Sequence, residues 1–191
     1  MTASETHLQA LKEKITNRTA IVGVVGLGYV GLPFAVEKAK VGFRVIGVEQ
    51  NPRRAELVNR GESYIADVPT EVLKEVVDKG LLRAETGFDR VAEMDVIVIA
   101  VPTPLTRNLT PDLQYVERVT REIAPRLRPG QLISLESTTY PGTTSELVLP
   151  IDHNVIAAPG TRLEDIMVVL SHPQALGQCR QFLERNLPNA R

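Results

Sequence analysis

The sequence predicts an α/β fold, a single doubly wound, mainly parallel sheet with helices on both faces. Three observations carry that reading. Apolar, β-branched runs alternate with segments of helical periodicity through residue 149, the pattern of successive β-α units. The run Val96-Ile97-Val98-Ile99-Ala100-Val101 is continuously apolar, as a parallel strand covered on both faces must be. The first apolar run, Ile21-Val22-Gly23-Val24-Val25, feeds a glycine turn that opens a helix.

That turn, Gly26-Leu27-Gly28-Tyr29-Val30-Gly31, has the spacing G-x-G-x-x-G. The first glycine makes a tight turn, the second lets backbone approach a pyrophosphate, and the third lets helix and strand pack closely. Free N–H groups at the helix N-terminus then hold the anion. The spacing is a weak signal alone, and its context strengthens it: a second strand, Arg44-Val45-Ile46-Gly47-Val48, ends in Glu49. A carboxylate there accepts both hydroxyls of an adenosine ribose and repels a 2′-phosphate, so NAD is favoured over NADP despite Arg53 and Arg54 nearby. The plain alternative is a strand–turn–helix with a solvated Glu49. The expected fold is therefore Rossmann-like, with about six strands.

Bulk properties narrow the class further. A chain of 191 residues, 43% hydrophobic, suits one domain with a real core. Its net charge of −1, with basic and acidic residues interleaved, leaves no nucleic-acid footprint. A single cysteine, Cys179, excludes an internal disulfide and a cysteine-rich zinc site, and no metal is expected. The stretch from Met1 to Asn17 is polar and amphipathic, without the apolar core of a signal peptide. No run approaches the roughly 18 apolar residues that span a membrane. A cytoplasmic protein is expected.

In chain order, residues 1–17 form an N-terminal helix, Leu8, Leu11 and Ile15 sharing a face over residues 4–16. The glycine-turn helix runs from about Leu32 to Val41 and stops at Gly42. Asn51-Pro52 starts the next helix and Gly61 ends it. Asp67-Val68-Pro69-Thr70 begins another, with Gly80 after it. A short strand at Leu81 to Ala84 and a brief helix at Phe88 to Glu93 precede the long apolar strand, 95–101. Pro102-Thr103-Pro104 then forces a loop at the strand's carboxyl end, the edge where open α/β sheets bind ligands. Pro111-Asp112 opens a helix to about Ala124. The strand Leu132 to Glu136 ends in the hydroxyl-rich stretch Ser137 to Thr144.

Gly26-Leu27-Gly28-Tyr29-Val30-Gly31-Leu32-Pro33, Val101-Pro102-Thr103-Pro104-Leu105, Pro111-Asp112-Leu113 and Glu136-Ser137-Thr138-Thr139-Tyr140-Pro141-Gly142-Thr143-Thr144 occur in this order. Together they resemble the N-terminal domain of nucleotide-sugar 6-dehydrogenases, closest in flavour to the UDP-N-acetylglucosamine group, over about residues 18–149. Those enzymes oxidise a sugar C6 alcohol to a carboxylate in two NAD-dependent hydride transfers. The resemblance assigns Gly28, Tyr29 and Val30 to the pyrophosphate turn, and Glu49 and Arg54 to the adenosine ribose. It assigns Val101, Pro102 and Thr103, on to Leu105, to a loop bordering the cofactor. Ser137 and Thr138 fall near the nicotinamide, Thr138 helping to hold a catalytic water; for each, a turn or cap role is the bland alternative. The family's sugar-binding domain, with its lysine, asparagine and nucleophilic cysteine, is not read downstream. Cys179 lies in Gly177-Gln178-Cys179-Arg180, a context that suits a packed small hydrophobe.

Residues 149–191 instead resemble part of prephenate dehydratase, through Ser171-His172-Pro173-Gln174-Ala175-Leu176, without that family's Thr-Arg-Asp motif. The chain then reads as two fragments joined near Leu149, with 154–158 and 166–170 as further short strands and a capping-box helix from Ser171. On this reading 150–191 completes the sheet begun in 18–149. His153 and His172 fit capping or surface roles. The function expected is NAD binding of the nucleotide-sugar dehydrogenase type, incomplete for turnover alone. A UDP-sugar is a partner if another chain completes the site, and oligomeric state is left open. A scaffold without cofactor binding is the alternative, and a dehydratase remnant a distant one.

Overall fold

The computed structural model describes residues 3–105, 111–137 and 185. The chain divides into two units, Met1–Thr139 and Tyr140–Arg191, and the elements that follow all lie in the first. Five strands are present among the described residues: β1 (Ile21–Val25), β2 (Arg44–Val48), β3 (Leu82–Glu85), β4 (Val96–Ile99) and β5 (Leu132–Leu135). They form one parallel sheet in the order β3-β2-β1-β4-β5. The chain steps outward from β1 to β3, then crosses back to lay β4 on the other side of β1. The reversal leaves a crevice between the carboxyl ends of β1 and β4. The strands expected at 154–158 and 166–170 lie outside the described residues.

Among the described residues of this unit, five α-helices connect or flank the strands: α1 (Ala3–Thr16), α2 (Gly31–Lys40), α3 (Pro52–Asn59), α4 (Thr70–Asp78) and α5 (Gln114–Ile123). Alternation along the strands fills both faces. Val22, Val24 and Val45 pack with Leu32, Val36, Val58 and Leu73 under α2, α3 and α4. Val25, Ile46, Ile97 and Ile99 pack with Met94, Val119 and Ile123 on the side of α5. Each such fully buried side chain contributes about 1.5–3 kcal/mol. Helices on both faces make the sheet doubly wound, as its apolar strands imply.

The local signals act where the sequence puts them. Asn51 caps α3, its Oδ1 accepting from the N–H groups of Arg53 (3.0 Å) and Arg54 (3.3 Å), with Pro52 at the first position. Other boundaries differ. Ordered strand β4 stops at Ile99, although the N–H of Ala100 still donates to Val25 O, so the difference is one of assignment. Helix α5 starts at Gln114 rather than at Pro111-Asp112, because Asp112 Oδ1 accepts the Gln114 N–H and serves the helix from outside. Only a 3₁₀ turn, Val91–Glu93, forms where a brief helix from Phe88 was expected. The α1 face carries little burial, with Leu8 49% and Ile15 41% exposed.

A polar tie secures α1 instead. Asp95, whose side chain is 5% exposed, stands at the amino edge of the sheet. Its Oδ1 accepts from Lys14 Nζ of α1 and from Arg128 Nη2, each at 2.7 Å, and its Oδ2 accepts the Ile21 N–H at 3.0 Å. Arg128 also donates to the carbonyls of Ala92 and Met94. Burial pushes the Asp95 carboxyl up, but the hydrogen bonds from Lys14, Ile21 and Arg128 outweigh it and hold the group below its ordinary value. A depressed folded value stabilises the fold above the unfolded value of about 3.9, and that stability is lost as pH falls through the folded value. Asp95→Asn should therefore lower the unfolding free energy by about 2 kcal/mol at pH 7 in urea titrations. Its deficit should shrink below about pH 4; a deficit independent of pH would refute this account.

Candidate functional site

At the carboxyl end of β1 the chain turns through Gly26, and the turn is packed from two sides. Gly26 has φ +92°, and a Cβ there would stand 2.5 Å from the carbonyl oxygen of Ala100, just past β4. A Cβ on Gly31 would stand 1.8 Å from the carbonyl oxygen of Gly26, so α2 approaches the end of β1 only because residue 31 has no side chain. Gly28 is different: an added Cβ meets nothing within 4 Å, so open space lies beside the turn there.

Helix α2 begins at this opening. Its N-cap, Val30, provides no side-chain hydrogen bond, and no acidic residue occupies the first turn. Tyr29 and Val30 are 79% and 57% exposed. A helix N-terminus with its amides uncapped by side chains, beside an open glycine, is chemically suited to an anion.

Leu27, between the first two glycines, is fully buried, and its side chain lies over Gly47 of β2, where a Cβ would come within 2.6 Å of Leu27 Cδ1. Glu49, at the end of β2, is 8% exposed. One carboxylate oxygen accepts the Leu27 N–H at 3.3 Å and the other the Asn51 N–H at 2.9 Å. The expected carboxylate beside the turn is thus in place, but it is also a backbone anchor; each oxygen keeps a second lone pair for a ligand hydroxyl. From the loop after α3, the Tyr64 hydroxyl donates to the Leu27 carbonyl at 2.7 Å. The Arg54 guanidinium lies over the Tyr64 ring, 5.4 Å from its centroid. Burial, with Glu49 adding to it and Arg54 opposing, pushes the Tyr64 phenol up to about 12.

Across the crevice, Val101 and Thr103 are half-buried and Pro102 is exposed. The Ser137 hydroxyl, past β5, donates to the Val101 carbonyl at 2.7 Å, joining the loops that follow β4 and β5. Gly26, Gly28, Tyr29, Val30, Gly31, Glu49, Arg54, Val101, Pro102, Thr103 and Ser137 are thereby placed along one edge of the sheet. Thr138 lies outside the described residues. Sequence reasoning missed Tyr64 and Gly47. A lone tyrosine 37 residues from its partner leaves no spacing to read. Gly47 had a usable signal, since a glycine inside an apolar strand marks a close approach.

An open parallel sheet with such a turn at its reversal point defines a dinucleotide-binding domain. The chain belongs to the UDP-glucose/GDP-mannose dehydrogenase family, whose NAD binding domain matches residues 20–178. It is 43% identical to UDP-N-acetyl-D-mannosamine dehydrogenase of Escherichia coli strain K12 over 129 residues, 67% of this chain and 30% of that protein. It is 42% identical to the NDP-N-acetyl-D-galactosaminuronic acid dehydrogenase of Ralstonia nicotianae over 127 residues, 66% of this chain and 29% of that one. The structure of GDP-mannose dehydrogenase from Pseudomonas aeruginosa superposes with a TM-score of 0.64 at 35% identity, over 68% of this chain and 31% of that one.

The chain thus spans less than a third of these relatives. The family match continues to residue 178, past Leu149, and leaves no break there for a second family to begin. The prephenate dehydratase resemblance and the two-fragment reading accordingly find no support. The curated relatives above carry N-acetylmannosamine and N-acetylgalactosaminuronic acid in their names, not N-acetylglucosamine. Among the described residues, no helix is long and apolar enough to cross a membrane.

The contacts of the turn glycines separate packing from ligand access. Gly26→Ala and Gly31→Ala should each cost at least about 2 kcal/mol of stability, through the left-handed φ or the backbone clash. Gly28→Ala should stay within about 0.5 kcal/mol of the wild type. Thermal and urea unfolding of the three variants would check the order; an equally destabilised Gly28→Ala would contradict the open site.

Proposed function

We propose that this chain supplies the NAD site of a nucleotide-sugar 6-dehydrogenase, an enzyme that oxidises the C6 alcohol of a UDP-linked N-acetylhexosamine to the carboxylate. The single observation that carries the reading is the open backbone at Gly28, at the start of a helix that no side chain caps, beside the crevice between β1 and β4. The pyrophosphate sits against the amides of Gly28, Tyr29 and Val30, where the α2 dipole and the absence of a first-turn acid favour negative charge. Glu49 accepts ribose hydroxyls with its remaining lone pairs, and its charge disfavours a 2′-phosphate. Arg54, at the start of α3, borders the same end.

The loop Val101, Pro102 and Thr103 borders the nicotinamide side, steadied by Ser137, with Thr138 as the candidate for holding a water. NAD supplies the hydride acceptor; the residues of this chain bind it, orient it and shield one face. Turnover needs the nucleophilic cysteine and sugar pocket of such enzymes, whose motifs are not recognised in these 191 residues.

Calorimetric titration tests it. The wild type should bind NAD saturably and NADP more weakly. Gly28→Ala and Glu49→Ala should each weaken NAD binding about tenfold, equivalent to about 1.4 kcal/mol. A folded wild type that gives no heat with NAD would make the domain a scaffold and end the proposal.

A further inference from the structure

The Leu27 carbonyl and the Gly28 amide belong to one peptide group, and Tyr64 holds that group from behind. No peptide bond in the described chain is cis, so the Leu27 C=O and the Gly28 N–H point in opposite directions within one plane. The Tyr64 hydroxyl takes the carbonyl at 2.7 Å, and Glu49 takes the preceding N–H, that of Leu27, at 3.3 Å. With the Leu27 side chain lying over Gly47, these contacts restrain the Leu27–Gly28 peptide. Its N–H donates to no group among the described residues, and an added Cβ at Gly28 meets only open space.

We propose that Tyr64 is a positioning residue for the dinucleotide: its hydroxyl sets the plane of the Leu27–Gly28 peptide and so aims the Gly28 N–H at the bound pyrophosphate. The inference rests on the NAD site proposed above and adds to it a residue outside the glycine turn and its acid. Hydrogen bonding at the carbonyl also polarises the amide, making the opposite N–H a better donor. A phenol pushed up to about 12 stays protonated, and therefore a donor, throughout the physiological range. The ring has a second task on the adenosine side, since the Arg54 guanidinium rests on its face. One side chain thus links the anion-binding turn to the cation beside the ribose.

Tyr64→Phe removes the hydroxyl and keeps the ring under Arg54. With ¹⁵N-labelled protein, the Gly28 amide resonance should shift in the free variant, while those of the remote turn glycines Gly42 and Gly80 stay in place. Calorimetry should show NAD and ADP-ribose binding about tenfold weaker, at a melting temperature within a few degrees of the wild type. Equal NAD affinity in the variant and a binding wild type would overturn the role of Tyr64 and leave the NAD site standing. A wild type that does not bind NAD would overturn both. A Gly28 amide in the wild type that fails to move as NAD binds would overturn the proposal without recourse to any variant.

Discussion

The contact between α2 and the end of β1 governs the rest of the architecture. Gly31 lets its backbone reach the carbonyl of Gly26, and Gly26, in turn, lies against the carbonyl of Ala100 beyond β4. These approaches leave no room for a Cβ, and they bring strand, turn and helix into one rigid corner. The helix axis then points its N-terminus into the crevice where the strand order reverses. A dipole end and an open backbone coincide there because the packing puts them there.

The two ends of the sheet carry different kinds of polar chemistry. At the amino edge, Asp95 is saturated by Lys14, Arg128 and the Ile21 N–H, and it ties α1 and the approach to β5 to the central strands. A buried carboxylate with that many donors is a structural device, with little capacity left for a ligand. At the carboxyl edge, Glu49 and Tyr64 grip the backbone around Leu27 from opposite sides while leaving the adjacent Gly28 open. One edge closes the fold and the other presents it.

Holding a loop by its backbone has a physical rationale. A flexible glycine turn would lose conformational entropy on binding an anion, at about 1–2 kcal/mol for each residue ordered. Anchoring Leu27 by its side chain, its N–H and its carbonyl meets that cost during folding. The stacking of Arg54 on Tyr64 does the same for a long, rotamer-rich cation.

Much of this was legible in the sequence. The apolar runs and their helical spacers specify a doubly wound parallel sheet, because strand burial and helix amphipathicity are local periodicities. The glycine spacing, Glu49 and the Asn51-Pro52 cap are local too, and each stands where the spacing puts it. Tertiary structure alone decided that Glu49 grips Leu27 as well as facing the turn, that Tyr64 completes the grip, and that Asp95 gathers Lys14 and Arg128. Those partners lie far apart along the chain, 81 residues for Lys14 and Asp95, and no periodicity or spacing records a meeting that only the folded sheet brings about.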